Sequence, residues 1–558
     1  MDANNAFNSL NRKVALNNIK YVCPEFSTYL LNTYRHPSKL YVADCKEDLL
    51  SNEGTTQGDN AAMGFYACSL TPLINKLESI DTPKQVWYAD DSAAGGTLKQ
   101  LLIWWKHLCE VGPWYGYHPK PSKTVLIVKD GFEEEAKRLF PGITITTTGH
   151  KYLGSFIGKE TGKRDFIAHQ IAKWEKDIKA LADIATREPQ AAYSAFVYGT
   201  SKRWLYVART TPNISDDLKR LDWIINEQFV PAIIGREFIT DTMRHVFTLQ
   251  VKHGGLGITN ISETANMEYE NSKLITKELT ELIYNQENSM NMDQKVIEEA
   301  MDTVERKKAE FHKNKRSEIY NKMNTKEQRI LDLASEKGAS SWLTSLPLAE
   351  FGFTLNKQEF QDAVLLRYDF RIKNVAAVCA CGEQNSVDHA LTCKLGGYVS
   401  LRHNSLRDTT AELLRSHGIC KDVETEPSLL PVSGQHLSTG SVLGDDARLD
   451  VSARNLWTPL ARAFLDIRVF HPQAQTNSVK SIPAMYSAHE QEKKRKYNSR
   501  VINVEKATFT PVVFSTSGGW DRKRQSYSKG SPKRCHSKLI KDIVTSYRSS
   551  GEGSDLNC

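Results

Sequence analysis

Tyr88-Ala89-Asp90-Asp91 is the stretch that most limits what this chain can become. It follows a short strand-like run, Gln85-Val86-Trp87, and leads into the small residues Ser92, Ala93, Ala94, Gly95 and Gly96. Two adjacent carboxylates at a strand–turn junction repel each other, so water, cationic groups or a bound divalent metal must compensate. With a third carboxylate nearby, the pair suits two magnesium ions that hold a nucleoside triphosphate and a primer end.

At 558 residues the chain exceeds one ordinary core, and roughly three to four domains of ~150 residues are expected. Hydrophobic residues at 40% and charged residues at 25% describe a folding chain rather than a disordered one. The net charge of +7 permits nucleic-acid binding without requiring it. No run approaches the ~18 apolar residues of a membrane span, and Met1-Asp2-Ala3-Asn4-Asn5 is not a signal peptide. Of ten cysteines, Cys379, Cys381 and Cys393 cluster and the others scatter, which suits a reducing compartment better than a disulfide scaffold.

Apolar spacing from Arg12 to Tyr34 predicts two helices broken at Pro24, and Tyr41-Val42-Ala43 reads as a strand. Gly54-Thr55-Thr56-Gln57-Gly58-Asp59 is a glycine-bracketed loop before a small-and-apolar helix from Ala61 to Ile74, ending near Pro72. Such a loop lets backbone approach a ligand closely, although many are mere turns. A helix over Leu98–Val111 follows the aspartate pair. A lysine–proline loop then runs into the strand Val125-Leu126-Ile127-Val128, and Tyr152 to Gly158 reads as a hairpin strand.

In this order the motifs resemble the palm of a reverse transcriptase of the non-long-terminal-repeat retroelement class. Asp2-Ala3-Asn4-Asn5-Ala6-Phe7 resembles its first palm motif, and Gly54 to Asp59 its Gln-Gly loop. Tyr88 to Asp91 resembles its aspartate pair, Gly116 to Lys123 its lysine loop, and Tyr152-Leu153-Gly154 its primer-grip hairpin. The resemblance implies that Asp2 and Asp90 ligate two Mg2+ ions with Asp91 in support. The ions would activate a primer 3′-hydroxyl and stabilise the leaving pyrophosphate. It also implies that Phe7 excludes a ribose 2′-hydroxyl, that Gln57 and Gly58 contact nucleotide and template, and that Lys123 donates to pyrophosphate. In the family, fingers precede the first palm motif. Because this chain starts at Met1-Asp2, the expectation is a palm without fingers that does not polymerise DNA alone.

Residues 161–250 carry spaced aromatics, Trp174, Tyr193, Phe196, Tyr198, Trp204, Tyr206, Trp223 and Phe229, which read as the core of an amphipathic helical bundle. Its position after the palm suggests a thumb, with Lys202, Arg203 and Arg209 toward primer–template. The glycine-rich His253 to Ile258 is a turn before a helix and lacks the ending of a phosphate loop. Residues 265–340 are highly charged and read as solvated helices, and Ser340 to Arg371 as helices that pack onto the cysteine-bearing segment after them.

Cys379, Cys381, His389 and Cys393 supply three thiolates and an imidazole, matching a tetrahedral Zn2+ site filled by protein and therefore structural; scattered reduced cysteines are the alternative. The single residue between the first two cysteines demands an unusual loop. Beyond lie Arg402-His403-Asn404, then Asp450 opening a strand, Asp466 within the strand-like Ala463 to Phe470, and a lysine-rich helix. Two acids on neighbouring strands plus a lysine bind one or two magnesium ions and activate water against a phosphodiester. This layout resembles the C-terminal restriction-like endonuclease of one branch of the same retroelements. Asp450 follows Leu449 rather than proline, and Arg468 stands where the family has lysine. Arginine stays protonated and cannot act as a base, so the lysine is expected to be Lys494. Asp450, Asp466 and Lys494 are thus the expected catalytic set, and an Asp466–Arg468 strand-end pair is the structural alternative.

The expected architecture is α+β and multidomain. It comprises a reverse-transcriptase palm of antiparallel sheet and helices over 1–160, a helical thumb over 161–265, a helical linker over 266–370, a zinc knot over 371–400, an α/β restriction-endonuclease-like domain over 401–519 and a disordered basic tail over 520–558. The implied function is target-primed reverse transcription: nicking exposes a 3′-hydroxyl that the palm extends on element RNA. The implied partners are an RNA template, DNA target and primer, and deoxynucleoside triphosphates, acting in the nucleus on chromosomal DNA. The alternatives are a catalytically inactive nucleic-acid-binding remnant and a host nuclease unrelated to transposition.

Overall fold

A computed structural model describes residues 1, 3–41, 49–56, 58–78, 82–287, 292–372, 375–395, 398–416, 420–477 and 479–520. The chain is α+β with helix predominating, and it divides into two compact units. The first holds Met1–Gln170, Val207–Pro212 and Asn266–Val304; the second holds Ile171–Tyr206, Asn213–Ala265 and Glu305 onward. Val42, Ala43 and the basic tail beyond Trp520 lie outside the described residues. Among the described residues, no helix is long and apolar enough to cross a membrane.

In the first unit, helices at Arg12–Val22 and Pro24–Tyr34 meet at Cys23. Pro24 can begin a helix because the N–H it lacks has no intrahelical partner there anyway. The Ala62–Leu77 helix runs straight through Pro72, contrary to the expected stop. Phe65, Tyr66, Leu70, Leu73 and Leu77 share one buried face across that turn, and their burial outweighs one lost backbone bond. They pack with Leu10, Ile19, Leu30, Trp104, Leu108 and Tyr117 into the unit's core.

The strands of this unit are short and pair by twos rather than as one antiparallel sheet. β1 (Ser38–Leu40) pairs with β2 (Leu49–Ser51), and β3 (Lys84–Tyr88) with β4 (Asp91–Gly95), both antiparallel. β5 (Val125–Ile127) lies parallel to β6 (Thr144–Thr146), and β7 (Gly149–Tyr152) antiparallel to β8 (Ser155–Gly158). Met1 adds backbone bonds to Ser92 at 2.8 and 3.3 Å, and Ala3 bridges to Pro119. Tyr41, expected in a strand, follows β1 and is fully in solvent.

The second unit contains the aromatic helical region. Trp174, Tyr193, Phe196, Trp204 and Phe229 are core, whereas Tyr198, Tyr206 and Trp223 are nearly half exposed. Asp222 is buried and caps the Ile261–Asn285 helix by accepting from Ile261 and Ser262 N–H at 2.9 and 3.0 Å. Farther along, Arg329 donates to the carbonyls of Pro472, Asn477 and Lys480. Glu336 accepts from Tyr486 Oη at 3.3 Å and Ser515 Oγ at 3.4 Å, and burial pushes its carboxyl up to about 7.

A four-stranded mixed sheet closes this unit: β9 (Lys421–Thr425), β10 (Val451–Arg454), β11 (Arg462–Phe470) and β12 (Thr508–Ser515) in the order β12-β11-β10-β9. β9, β10 and β11 are antiparallel neighbours, and β12 joins β11 in parallel through the Ile482–Asn503 helix. A parallel step needs such a crossover. Ala463 to Ile467 are consecutively buried, as a strand covered on both faces requires. Arg500, fully buried on the crossover helix, donates to the carbonyls of Leu430, Val442 and Gly444 and fixes the long β9–β10 connection.

Candidate metal and nucleic-acid sites

The aspartate pair is built by a tight turn in the first unit. Tyr88 pairs with Asp91 across the β3–β4 hairpin, so Ala89 and Asp90 form a two-residue turn with Ala89 at φ 53°. The turn is held from behind. Tyr117 Oη donates to the Asp90 carbonyl at 3.1 Å and meets Ser92 Oγ at 3.0 Å. Gln85 Oε1 accepts from the indoles of both Trp87 and Trp104 at 3.1 Å. Two buried tyrosine hydroxyl oxygens without a hydrogen-bond partner flank the pair. Burial and then charge push both phenols up: Tyr66 feels Tyr117 and Asp90, and Tyr152 feels Asp91. Polar atoms left unsatisfied beside two carboxylates fit a site that takes cations and a polar ligand.

Asp2 and Gln57 lie outside the described residues. Their neighbours show how the Gly54–Asp59 loop meets the first turn of chain. Gly54 N–H donates to Leu10 O, and Thr55 N–H to Phe7 O at 2.8 Å. Phe7 stacks on Tyr66 with centroids 4.6 Å apart. Arg12, buried, donates to the carbonyls of Ser51, Glu53 and Gly54. Asp59 accepts from Tyr34 Oη and from Ala61 N–H; burial and Asp59 push the Tyr34 phenol up to about 12. Gly58 has φ +94° with open space where a Cβ would stand. Lys123 ends a short exposed turn at Pro121–Lys123.

Cys379, Cys381, His389 and Cys393 bring one donor atom each within 4.8 Å of all the others. Cys379 Sγ lies 3.8 Å from Cys393 Sγ, and Cys381 Sγ lies 3.2 Å from His389 Nε2. Zinc–sulfur bonds of about 2.3 Å place tetrahedral sulfurs about 3.8 Å apart, so the donor set fits Zn2+. The one-residue gap is solved by a tight hairpin. Cys379 N–H donates to Glu383 O, and Gly382 takes φ +88° and donates back to Cys379 O. His389 rides on the Val387–Thr392 helix, which Ser386 caps. That helix is tied to the sheet domain twice. Asp388 Oδ1 lies 2.8 Å from buried His471 Nε2, whose Nδ1 lies 2.7 Å from Thr516 Oγ1, and Arg402 donates to Leu391 O at 3.3 Å.

The expected nuclease acids come together. Val451 pairs with Leu465, and continuing that register by one sets Asp450 across from Asp466. Asp450 Oδ2 accepts from Ile467 N–H at 2.5 Å, and Oδ1 lies 2.9 Å from His403 Nε2. Burial would push the Asp450 carboxyl up, but His403 and the Ile467 N–H outweigh it and hold it below the usual range. Asp466 has a side chain only 6% exposed, and burial together with the Asp450 charge pushes its carboxyl up to about 6. Of the two carboxyls, Asp466 therefore holds a proton more tightly than Asp450.

Lys494 does not join them. It pairs with Glu490 at 2.6 Å, and Lys493 instead stands 2.9 Å from Asp466 Oδ2. Neighbouring helix residues point about 100° apart, so only one of two adjacent lysines can face the sheet. Asp466 therefore pairs with Lys493 rather than Arg468. The Lys493 contact is off-line, and Asp466 Oδ2 remains buried without a hydrogen bond. In the sequence, His403 stands within Arg402-His403-Asn404 and Gln85 within the run before the aspartate pair, neither with an expected role, and no role in a site was expected of Lys493 or Tyr66. For Lys493 a signal existed: Tyr486, His489, Lys493, Tyr497 and Arg500 recur at helical spacing on an otherwise charged helix.

The chain matches no protein-family model, and no curated protein matches its sequence.

Proposed function

We propose that this chain is a retroelement-derived protein that nicks DNA at the Asp450–Asp466–Lys493 site and carries a reverse-transcriptase palm around Asp90 and Asp91. The observation that carries the proposal is the close pair of Asp450, just before β10, and buried Asp466 on β11, with one Asp466 oxygen lacking a hydrogen bond and an ammonium at 2.9 Å. An arrangement of this kind favours divalent cations, which compensate two close negative charges and activate water against a phosphodiester. With Mg2+ bound, Asp450 and Asp466 would be its ligands and Lys493 would face the scissile phosphate. The Cys-Cys-His-Cys set would hold a structural Zn2+ beside this domain. In the palm, Asp90 and Asp91 would hold Mg2+, with RNA as template and a nicked DNA end as primer, placing the protein in the nucleus.

The test is nicking of supercoiled plasmid by the full chain with Mg2+, lost in Asp466→Ala, together with primer extension on an RNA template, lost in Asp90→Asn. No nicking by zinc-loaded unsubstituted chain ends the nuclease reading. The net charge of +7 is equally compatible with a second reading, a nucleic-acid-binding remnant without catalysis. Salt-dependent RNA binding that persists in both variants, without nicking or extension, would establish it.

A further inference from the structure

Both oxygens of Asp450 are held by protein donors. The Ile467 N–H is supplied by β11 and follows from sheet register. The His403 contact depends on a side chain. It comes from the Tyr398–Ser416 helix, whose Leu406, Thr410, Ala411 and Leu414 are buried beneath it. A carboxylate oxygen accepts, so at 2.9 Å the facing Nε2 is the end of the imidazole that donates. His403 is one-third exposed while Asp450 is 14% exposed, so the imidazole closes the outer side of the carboxylate. One turn along, Arg407 adds positive potential toward Asp450 while pairing with Asp408 at 2.8 Å and with Glu426.

Resting on the nuclease reading, we infer that His403 is a positioning residue: its Nε2–H fixes the rotation of the Asp450 carboxylate so that this group is aligned for a divalent cation. A carboxylate free to rotate loses entropy when it ligates a metal, and a donor that holds it beforehand removes that cost. His403 itself touches neither cation nor phosphate in this role. A simple helix-to-strand ion pair would instead affect stability and leave metal affinity unchanged.

The experiment uses the full chain, with Mn2+ as the probe followed by paramagnetic resonance, and the site of interest identified as the class lost in Asp466→Asn. His403→Leu is expected to weaken that class about 10-fold or more and to raise the Mg2+ needed for half-maximal nicking, with zinc content unchanged. His403→Gln, which can still donate an N–H, is expected to recover most of the affinity. Equal Mn2+ binding by His403→Leu and the unsubstituted chain overturns the inference, as does equal impairment of the Leu and Gln variants. If the unsubstituted chain has no Asp466-dependent Mn2+ site and does not nick, the nuclease reading fails and takes this inference with it.

Discussion

Lys493 brings its ammonium 2.9 Å from Asp466, while Lys494, the next residue, turns away to Glu490. Adjacent, identical side chains thus have unrelated surroundings. Under the nuclease reading, Lys493→Met lowers nicking by about 100-fold or more, the scale of losing a positioned proton donor or charge. Lys494→Met stays within about twofold by the same physical argument, since it touches only a partly exposed ion pair. Plasmid nicking rates at saturating Mg2+ check both.

Glu336 gives the chain a stability that falls as pH rises. Its folded pKa of about 7 lies above the ordinary carboxylate value of 4.5, so the folded state holds this proton more tightly than the unfolded state. The contribution is complete below the ordinary value, declines as pH rises toward about 7, and is flat above. Glu336→Gln keeps an acceptor for Tyr486 and Ser515 without the buried charge. It is expected to be neutral at acidic pH and stabilising by ~1–3 kcal/mol at alkaline pH. Urea unfolding at the two extremes measures the difference, and an equal effect at both would refute the assignment.

The cysteine–histidine group should hold one zinc per chain. Cys393→Ser or strong chelation is expected to release it and lower the melting temperature, because a structural zinc site contributes folding free energy directly. Elemental analysis with and without the substitution gives the stoichiometry. Full zinc retention by Cys393→Ser would contradict the site.

Gly116 tests how tightly the first unit is closed. Its φ is +78°, and an added Cβ would stand 2.0 Å from the Ser9 carbonyl oxygen. Gly142 has a similar φ of +82° but its nearest neighbour is 3.7 Å away. Gly116→Ala should therefore cost more than ~3 kcal/mol, and Gly142→Ala only the left-handed penalty of about 1 kcal/mol. Denaturant midpoints of the two variants, compared under one condition, separate clash from backbone preference.

Local signals were readable in the sequence where one residue decides the outcome. Pro24 separates two helices, and the strand-like run before Asp90 is β3. Cys379, Cys381, His389 and Cys393 meet because few residues separate them. Pro72 misled because a buried stripe of five large side chains outweighs one missing N–H, which is a tertiary effect. The Asp450–Asp466 pairing depends on a hairpin register that sixteen positions of separation do not fix. The choice between Lys493 and Lys494 depends on helix phase, and His403 on how a helix lies against a strand.

The Tyr398–Ser416 helix places two adjacent residues in different service: Arg402 holds the Leu391 carbonyl of the cysteine–histidine group, and His403 holds Asp450. The segment before residue 400 and the sheet domain after it are therefore not interchangeable cassettes. A chimera joined at that point would exchange the partner of Arg402, and of His471, along with the metal group. Recombination that preserves function should respect a seam upstream of Cys379, where the metal group, the helix and the carboxylate travel as one inherited piece.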